Sequence, residues 1–137
     1  MIGFKLRGRP VQMFNPRAVV SPKERATRHV LSRFGSFVRR TARSSIRKRK
    51  RVSGSGDPPS SHEGGLRRLL LFAFDMAAQS VVVGPLLYRS GVAELLEEGG
   101  QAVRRGKRVS YEPRPFMGPA YQENLPKVPS LWRDSIK

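Results

Sequence analysis

The sequence predicts an α+β fold: a small, mostly antiparallel β-sheet packed by one long amphipathic N-terminal helix, with extended arms and a short C-terminal helix. Three observations lead there. Between Glu24 and Arg43 apolar side chains recur at three- and four-residue steps, the period of a helix face. Residues 66–74 and 81–83 are short apolar runs rich in strand formers, separated by a hairpin-length gap. Stretches rich in Pro, Gly and Ser punctuate the rest. A chain of 137 residues holds about one domain and one modest core, so 1–137 is read as a single domain.

Residues 1–8 alternate loosely, with Ile2, Phe4 and Leu6 on one side, and predict a short strand. Residues 9–20 follow as an extended arm around Pro10 and Asn15-Pro16. Ser21-Pro22-Lys23-Glu24 is a helix start: a capping hydroxyl, a proline at the first helical position and a glutamate three residues on. Thr27, Val30, Leu31, Phe34, Phe37 and Val38 then form one apolar stripe, with most arginines off it. Gly35 costs this helix about 1 kcal/mol relative to alanine, so a close approach to the sheet is expected there. The segment 47–65 is basic and then rich in Pro, Ser and Gly, and reads as a second arm.

Leu66 to Phe74 fits a helix face or a strand; the short run, its two phenylalanines and the following Val81-Val82-Val83 favour a hairpin. Apolar residues fall on both faces of 69–74, so a central strand is expected, with helix on one side and another layer or subunit on the other. Residues 2–7 are its preferred second neighbour. Val92 to Glu98 makes a short helix stopped by Gly99-Gly100, and residues 104–108 make a basic turn. Val109 to Glu112 is the last strand, and Pro113-Arg114-Pro115-Phe116 leaves the sheet. A C-terminal helix opens at Pro119 and is broken by Pro126 and Pro129, so 120–137 is an arm or broken helix. The expected core is Val30, Phe34, Val38, Leu69, Leu71, Phe72, Val82 and Phe116.

Charge bounds the function. Lys and Arg number 27 against 10 Asp and Glu, and residues 1–51 hold 16 of the basic side chains with one acidic one. Such a field attracts polyanions or an acidic protein surface. No cysteine is present, which removes disulfides, thiol catalysis and Cys-ligated zinc. No apolar run reaches the roughly 18 residues of a membrane span, and the start lacks a signal-peptide core; a soluble, unsecreted protein without a membrane role is expected.

The residue types that carry catalysis are sparse. His29 lies in the basic helix. Asp57, Ser60, Ser61 and His62 share one loop, and near neighbours in a loop rarely form a triad. Two histidines 33 positions apart match no metal-ligand spacing. Gly54-Ser55-Gly56 lacks the lysine and frame of a phosphate-binding loop. Glu94, Glu97 and Glu98 have two readings, a solvated helix face, which is favoured, and pairing with a basic surface of a neighbour. We therefore expect no enzyme activity, no metal and no cofactor. The basic run Arg47-Lys48-Arg49-Lys50-Arg51, approached by Arg39, Arg40 and Arg43, has three readings: contact with nucleic acid phosphates, docking on an acidic protein, or a solvated segment.

Four pieces taken in order carry a resemblance. They are Phe37-Val38-Arg39-Arg40-Thr41-Ala42-Arg43, Gly65-Leu66-Arg67-Arg68-Leu69 after a Pro-rich loop, Val81-Val82-Val83-Gly84 followed by Glu94-Leu95-Leu96-Glu97-Glu98-Gly99-Gly100, and Arg114-Pro115-Phe116-Met117-Gly118-Pro119-Ala120. Together they resemble the small head–tail joining proteins of tailed bacteriophages, also called neck, tail-completion, minor tail or virion-morphogenesis proteins. The chain departs from that pattern at Leu69-Leu70, where a Ser or Thr usually precedes an Ile, and at Pro126 and Pro129.

The resemblance implies a structural virion protein, located in the neck or tail and in the host cytoplasm during assembly. It implies a ring of six or twelve copies around the DNA channel. The implied partners are portal, adaptor, tail-tube or terminator proteins, with non-specific contact to genomic DNA open. Within that reading Arg47 to Arg51 dock on an acidic neighbour together with the interface loop of Asp57, Pro58, Pro59 and His62, because a permanent basic lining would slow DNA passage. A basic nucleic-acid-binding module of nucleoid or ribosomal type is the alternative.

Overall fold

The computed structural model describes residues 16–86 and 91–136. The predicted strand over residues 1–8 and its pairing beside 66–74 lie outside the described residues. The fold class is the expected α+β, with a long helix, small antiparallel sheets and a short C-terminal helical segment.

Helix α1 spans Pro16–Ser45. It begins earlier than the Ser21 cap predicts, so Pro22 lies inside it and 16–20 is no arm. A proline lacks an N–H, which costs nothing in the first helical turn; Pro16 meets that condition in the observed helix, whereas Pro22 lies beyond the first turn. Ala26, Val30, Phe34, Val38, Ala42 and Ile46 are all buried. These positions recur every fourth residue and form the ridge that the other elements pack on.

The segment expected as a second arm folds back instead. Strand β1 (Arg47–Lys48) pairs in parallel with β2 (Ser60–Ser61). The ambiguous run 66–74 resolves into both of its readings: helix α2 (Gly65–Leu69) and then strand β3 (Leu70–Asp75). β3 forms an antiparallel hairpin with β4 (Ser80–Pro85), in a register that sets Leu70 opposite Pro85 and Asp75 opposite Ser80. Asp75 shapes the turn, its Oδ1 accepting from the N–H groups of Ala77 (2.9 Å) and Ala78 (3.1 Å).

Helix α3 (Val92–Glu98) ends at Gly99, as expected. A strand that the sequence does not announce follows. β5 (Gly100–Arg104) pairs antiparallel with β6 (Lys107–Tyr111) as a second hairpin. Helix α4 (Met117–Asn124), a 3-10 turn (Leu125–Lys127) and helix α5 (Val128–Trp132) complete the chain. Pro126 and Pro129 fall in the first turns of the last two, where the missing donor is tolerated. The broken helix therefore forms, and it packs on α1.

Instead of one sheet, the described residues form three two-stranded sheets, of which the β3–β4 hairpin packs on α1. The core unites Phe34, Val38 and Ala42 of α1, and Ile46 just after it, with Leu66, Leu70, Phe116 and Ala120. Gly35 is the predicted point of close approach: a Cβ there would stand 2.5 Å from Val81 Cγ2 and 3.2 Å from Phe72 Cδ2.

Of the expected core residues, Val30, Phe34, Val38 and Phe116 are buried, whereas Leu69, Leu71, Phe72 and Val82 are exposed. Successive residues of a strand face opposite ways, and α1 covers one face of the β3–β4 hairpin. Leu70, Phe72, Val81 and Val83 take that face. Leu71 and Val82 take the other, with Ala73. Phe72 rests on Gly35, which has no side chain to cover its ring. Leu69 is the last residue of α2 and points away from the buried Leu66 and Leu70. Among the described residues β3 is thus the strand of a two-stranded ribbon, with β4 as its one neighbour.

Candidate functional site

The basic run and the loop expected to act with it do come together. Ser53 is fastened by its carbonyl, which accepts from Arg114 Nε at 3.0 Å, and Gly56 N–H donates to the Pro113 carbonyl at 2.9 Å. Pro59 and Ser61 are buried. With both ends of the loop tied down, a hollow of about 320 Å³ opens between the strands. Its lining holds Arg47 and Arg49 beside Asp57, Pro58 and Pro59, with Ser45 and Ser60. All five residues from Arg47 to Arg51 are exposed. His62 is exposed and stands outside that lining.

The arginines of α1 divide by role. Arg39 leaves the contact set: it is half-buried, and its Nε donates to the Leu70 carbonyl at 2.6 Å, tying helix to hairpin. Arg40 lies 5.4 Å from the centre of the Phe37 ring, which Arg33 (6.0 Å) and Lys127 (5.9 Å) also approach. Such cation–ring contacts stabilise cations that crowd one another. Arg43 is half-buried in the last turn of α1, where a cation suits the negative end of the helix dipole.

The serine, histidine and aspartate of the loop do not converge into a triad. Ser61 Oγ accepts from Gly64 N–H at 2.9 Å, while Asp57 and Ser60 border the hollow. Among the described residues no group of three or more His, Asp or Glu is placed to hold a metal ion, and no helix is long and apolar enough to cross a membrane.

Two side chains matter that the sequence hides. Glu97 is no solvated glutamate. Its Oε2 accepts from the N–H groups of Phe116 (2.9 Å) and Met117 (3.0 Å), and its Oε1 from Gly118 N–H (2.6 Å). The carboxylate thereby holds the open N–H groups at the start of α4 and sets Phe116 into the core. Asn124 is fully buried. Its Nδ2 donates to Thr41 Oγ1 (2.9 Å) and the Ala120 carbonyl (2.8 Å), and its Oδ1 accepts from Lys127 Nζ (2.7 Å). The backbone that Glu97 holds and the Thr41 partner of Asn124 are distant in sequence, so the only early sign of either role is a polar residue inside an apolar neighbourhood.

A second surface is apolar. On the side of the β3–β4 hairpin away from α1, Leu71 is 41% and Val82 62% exposed, and Leu69 (37%) and Leu86 (53%) flank them. The hairpin contains no Lys or Arg. The described residues therefore present an exposed hydrophobic ribbon and, elsewhere, an exposed cationic segment beside a Pro-lined hollow. Comparison with protein-family models, curated proteins and solved structures finds no match to the chain.

Proposed function

We propose that the chain is a structural subunit of the head–tail connection of a tailed phage, assembling as a ring of six or twelve copies around the DNA channel. The observation that carries this reading is the exposed apolar face of the β3–β4 hairpin, where Leu71 and Val82 face away from α1. Contiguous exposed apolar surface marks a protein interface. In a ring every copy offers one face and receives another, so a single such ribbon is closed by its neighbour all the way round. The order of sequence motifs from Phe37 to Ala120 supports the same assignment.

The cationic run Arg47 to Arg51 then docks on an acidic portal, adaptor or tail-side partner. The hollow gives that docking a shape: Arg47 and Arg49 point into a depression whose other wall is Pro58-Pro59, so a carboxylate-bearing loop of a neighbour has both charge and a rigid apolar wall to meet.

Native mass spectrometry of the purified chain, alone and with a DNA duplex, tests the assignment. Closed rings of six or twelve copies are expected, or a monomer that assembles when a neck partner is added. A monomer that remains one with every partner and takes up duplex stoichiometrically at physiological salt favours a nucleic-acid-binding module instead. Replacing Arg47 to Arg51 by serine should abolish the joining of filled heads to tails; normal joining would refute the docking role.

A further inference from the structure

The second hairpin carries a charged feature that the docking surfaces do not use. Its tip reads Arg104-Arg105-Gly106-Lys107-Arg108, four cations in five residues, and no carboxylate lies between Gly99 and Tyr111. All four cations are exposed. The register sets Arg104 directly across from Lys107. Like charges opposite each other on an antiparallel pair destabilise it. Arg105 adds to that cost, since its backbone sits at φ 51, a region non-glycine residues seldom occupy. None of the four borders the hollow beside Arg47. A ribbon that concentrates repulsion at its own tip is stabilised by an anion from outside.

We infer that the β5–β6 tip contacts the phosphate backbone of duplex DNA, without reading its sequence. The composition of the tip separates DNA from an acidic protein. Protein interfaces take their affinity from aromatic and aliphatic anchors seated in dry pockets. The tip has no aromatic or aliphatic residue; Val103, 70% exposed, and Val109 flank it. Phosphates need charge and reach and no apolar anchor. About four such contacts per copy are weak at physiological salt and multiply when copies share one duplex.

The inference stands apart from the neck assignment, because it concerns the tip of each copy whether or not copies form a ring. The test is duplex binding by the full chain across a salt series, read by fluorescence anisotropy with a random-sequence duplex. Four neutralised contacts steepen the fall of log affinity against log salt by about 3 to 4 units, or roughly 100-fold in affinity between about 50 and about 200 mM salt. The combined variant Arg104→Gln, Arg105→Asn, Lys107→Gln, Arg108→Gln should lose that increment, while serine at Arg47 to Arg51 leaves it in place.

Lys107→Glu supplies a variant whose folding is not in doubt, because it replaces a like-charge pair with an opposite-charge one. It should raise the unfolding midpoint and still make the salt slope shallower by about 1 to 2 units. An unchanged slope in both variants overturns the inference. So does a combined variant that keeps its duplex affinity but no longer binds polyglutamate, which would assign the tip to an acidic protein. Ring formation is scored in parallel: rings that persist while duplex binding falls support the inference, and rings that never form count against the neck assignment alone.

Discussion

The described residues contain two antiparallel hairpins of opposite chemistry, one closed by a four-residue loop and the other by a two-residue turn. β3–β4 runs from Leu70 to Pro85 with no basic residue, and β5–β6 runs from Gly100 to Tyr111 with four and no acidic one. Each turns through a non-glycine residue at positive φ, Gln79 at 49° and Arg105 at 51°. They differ in how they are rooted. The first hairpin sits on α1 through Gly35 and sends Leu70 into the core. The second contributes no residue to the buried cluster. The first strand pair covers one face and leaves the other apolar, while the second buries neither face and carries its cations at the tip. Backbone architecture therefore does not decide which partner a ribbon meets; the outward-facing residues do.

The harshest way to break the contrast is to remove the side chain on which the core closes. Phe116→Ala should cost about 3 to 5 kcal/mol and unseat both hairpins, read as a lowered denaturant midpoint with protection lost throughout in hydrogen exchange. Next comes Glu97→Ala, which frees three N–H groups and should cost about 1 to 3 kcal/mol. Its loss of exchange protection should concentrate between Val92 and Gly118 and spare β3–β4; an equal loss in β3–β4 would show that the two hairpins are not separately rooted. Leu71→Lys with Val82→Lys gives the first ribbon the charge of the second. Both positions are exposed, so monomer stability should move by no more than about 0.5 kcal/mol, while native mass spectrometry should find the ring gone. The smallest effect belongs to Arg105→Asn, because asparagine accepts positive φ and removes one cation from the tip; a gain of about 0.5 kcal/mol is expected by thermal unfolding.

How far these ribbons are legible in the sequence follows from where their partners lie. α1 is written in a run of local spacing, and Gly35 within its apolar stripe marks the close approach correctly. The stop at Gly99 and the breaks at Pro126 and Pro129 are also local and readable. β5 is not, because Gly100 to Arg104 has little apolar alternation and becomes a strand only by pairing with β6. The run 66–74 misleads because two elements share it, and its outward leucines read as core until the number of strands is known. The candidate site shows the same division. Arg47 to Arg51 stand out as charge, but the hollow that gives Arg47 and Arg49 a shape depends on Arg114 reaching Ser53, 61 positions away. Arg39 reads as a contact residue and proves to be a strut, because a guanidinium meeting a distant backbone carbonyl leaves no trace in spacing.

The grip of Glu97 also has a mechanical side. It lies one helical turn before the point where β5 starts, and it holds the backbone on which β6 ends a few residues earlier. The tip of the ribbon stands about five residues out, or roughly 17 Å at strand rise. The second hairpin is thus a lever pivoted on a carboxylate, with the load at Arg105 and the short arm resting on Phe116. A pull on the tip meets first the ties of Pro113 and Arg114 to Gly56, Ser53 and Leu96, and only then Phe116, so whatever the ribbon holds is felt in the loop beside Arg47 as well as in the core.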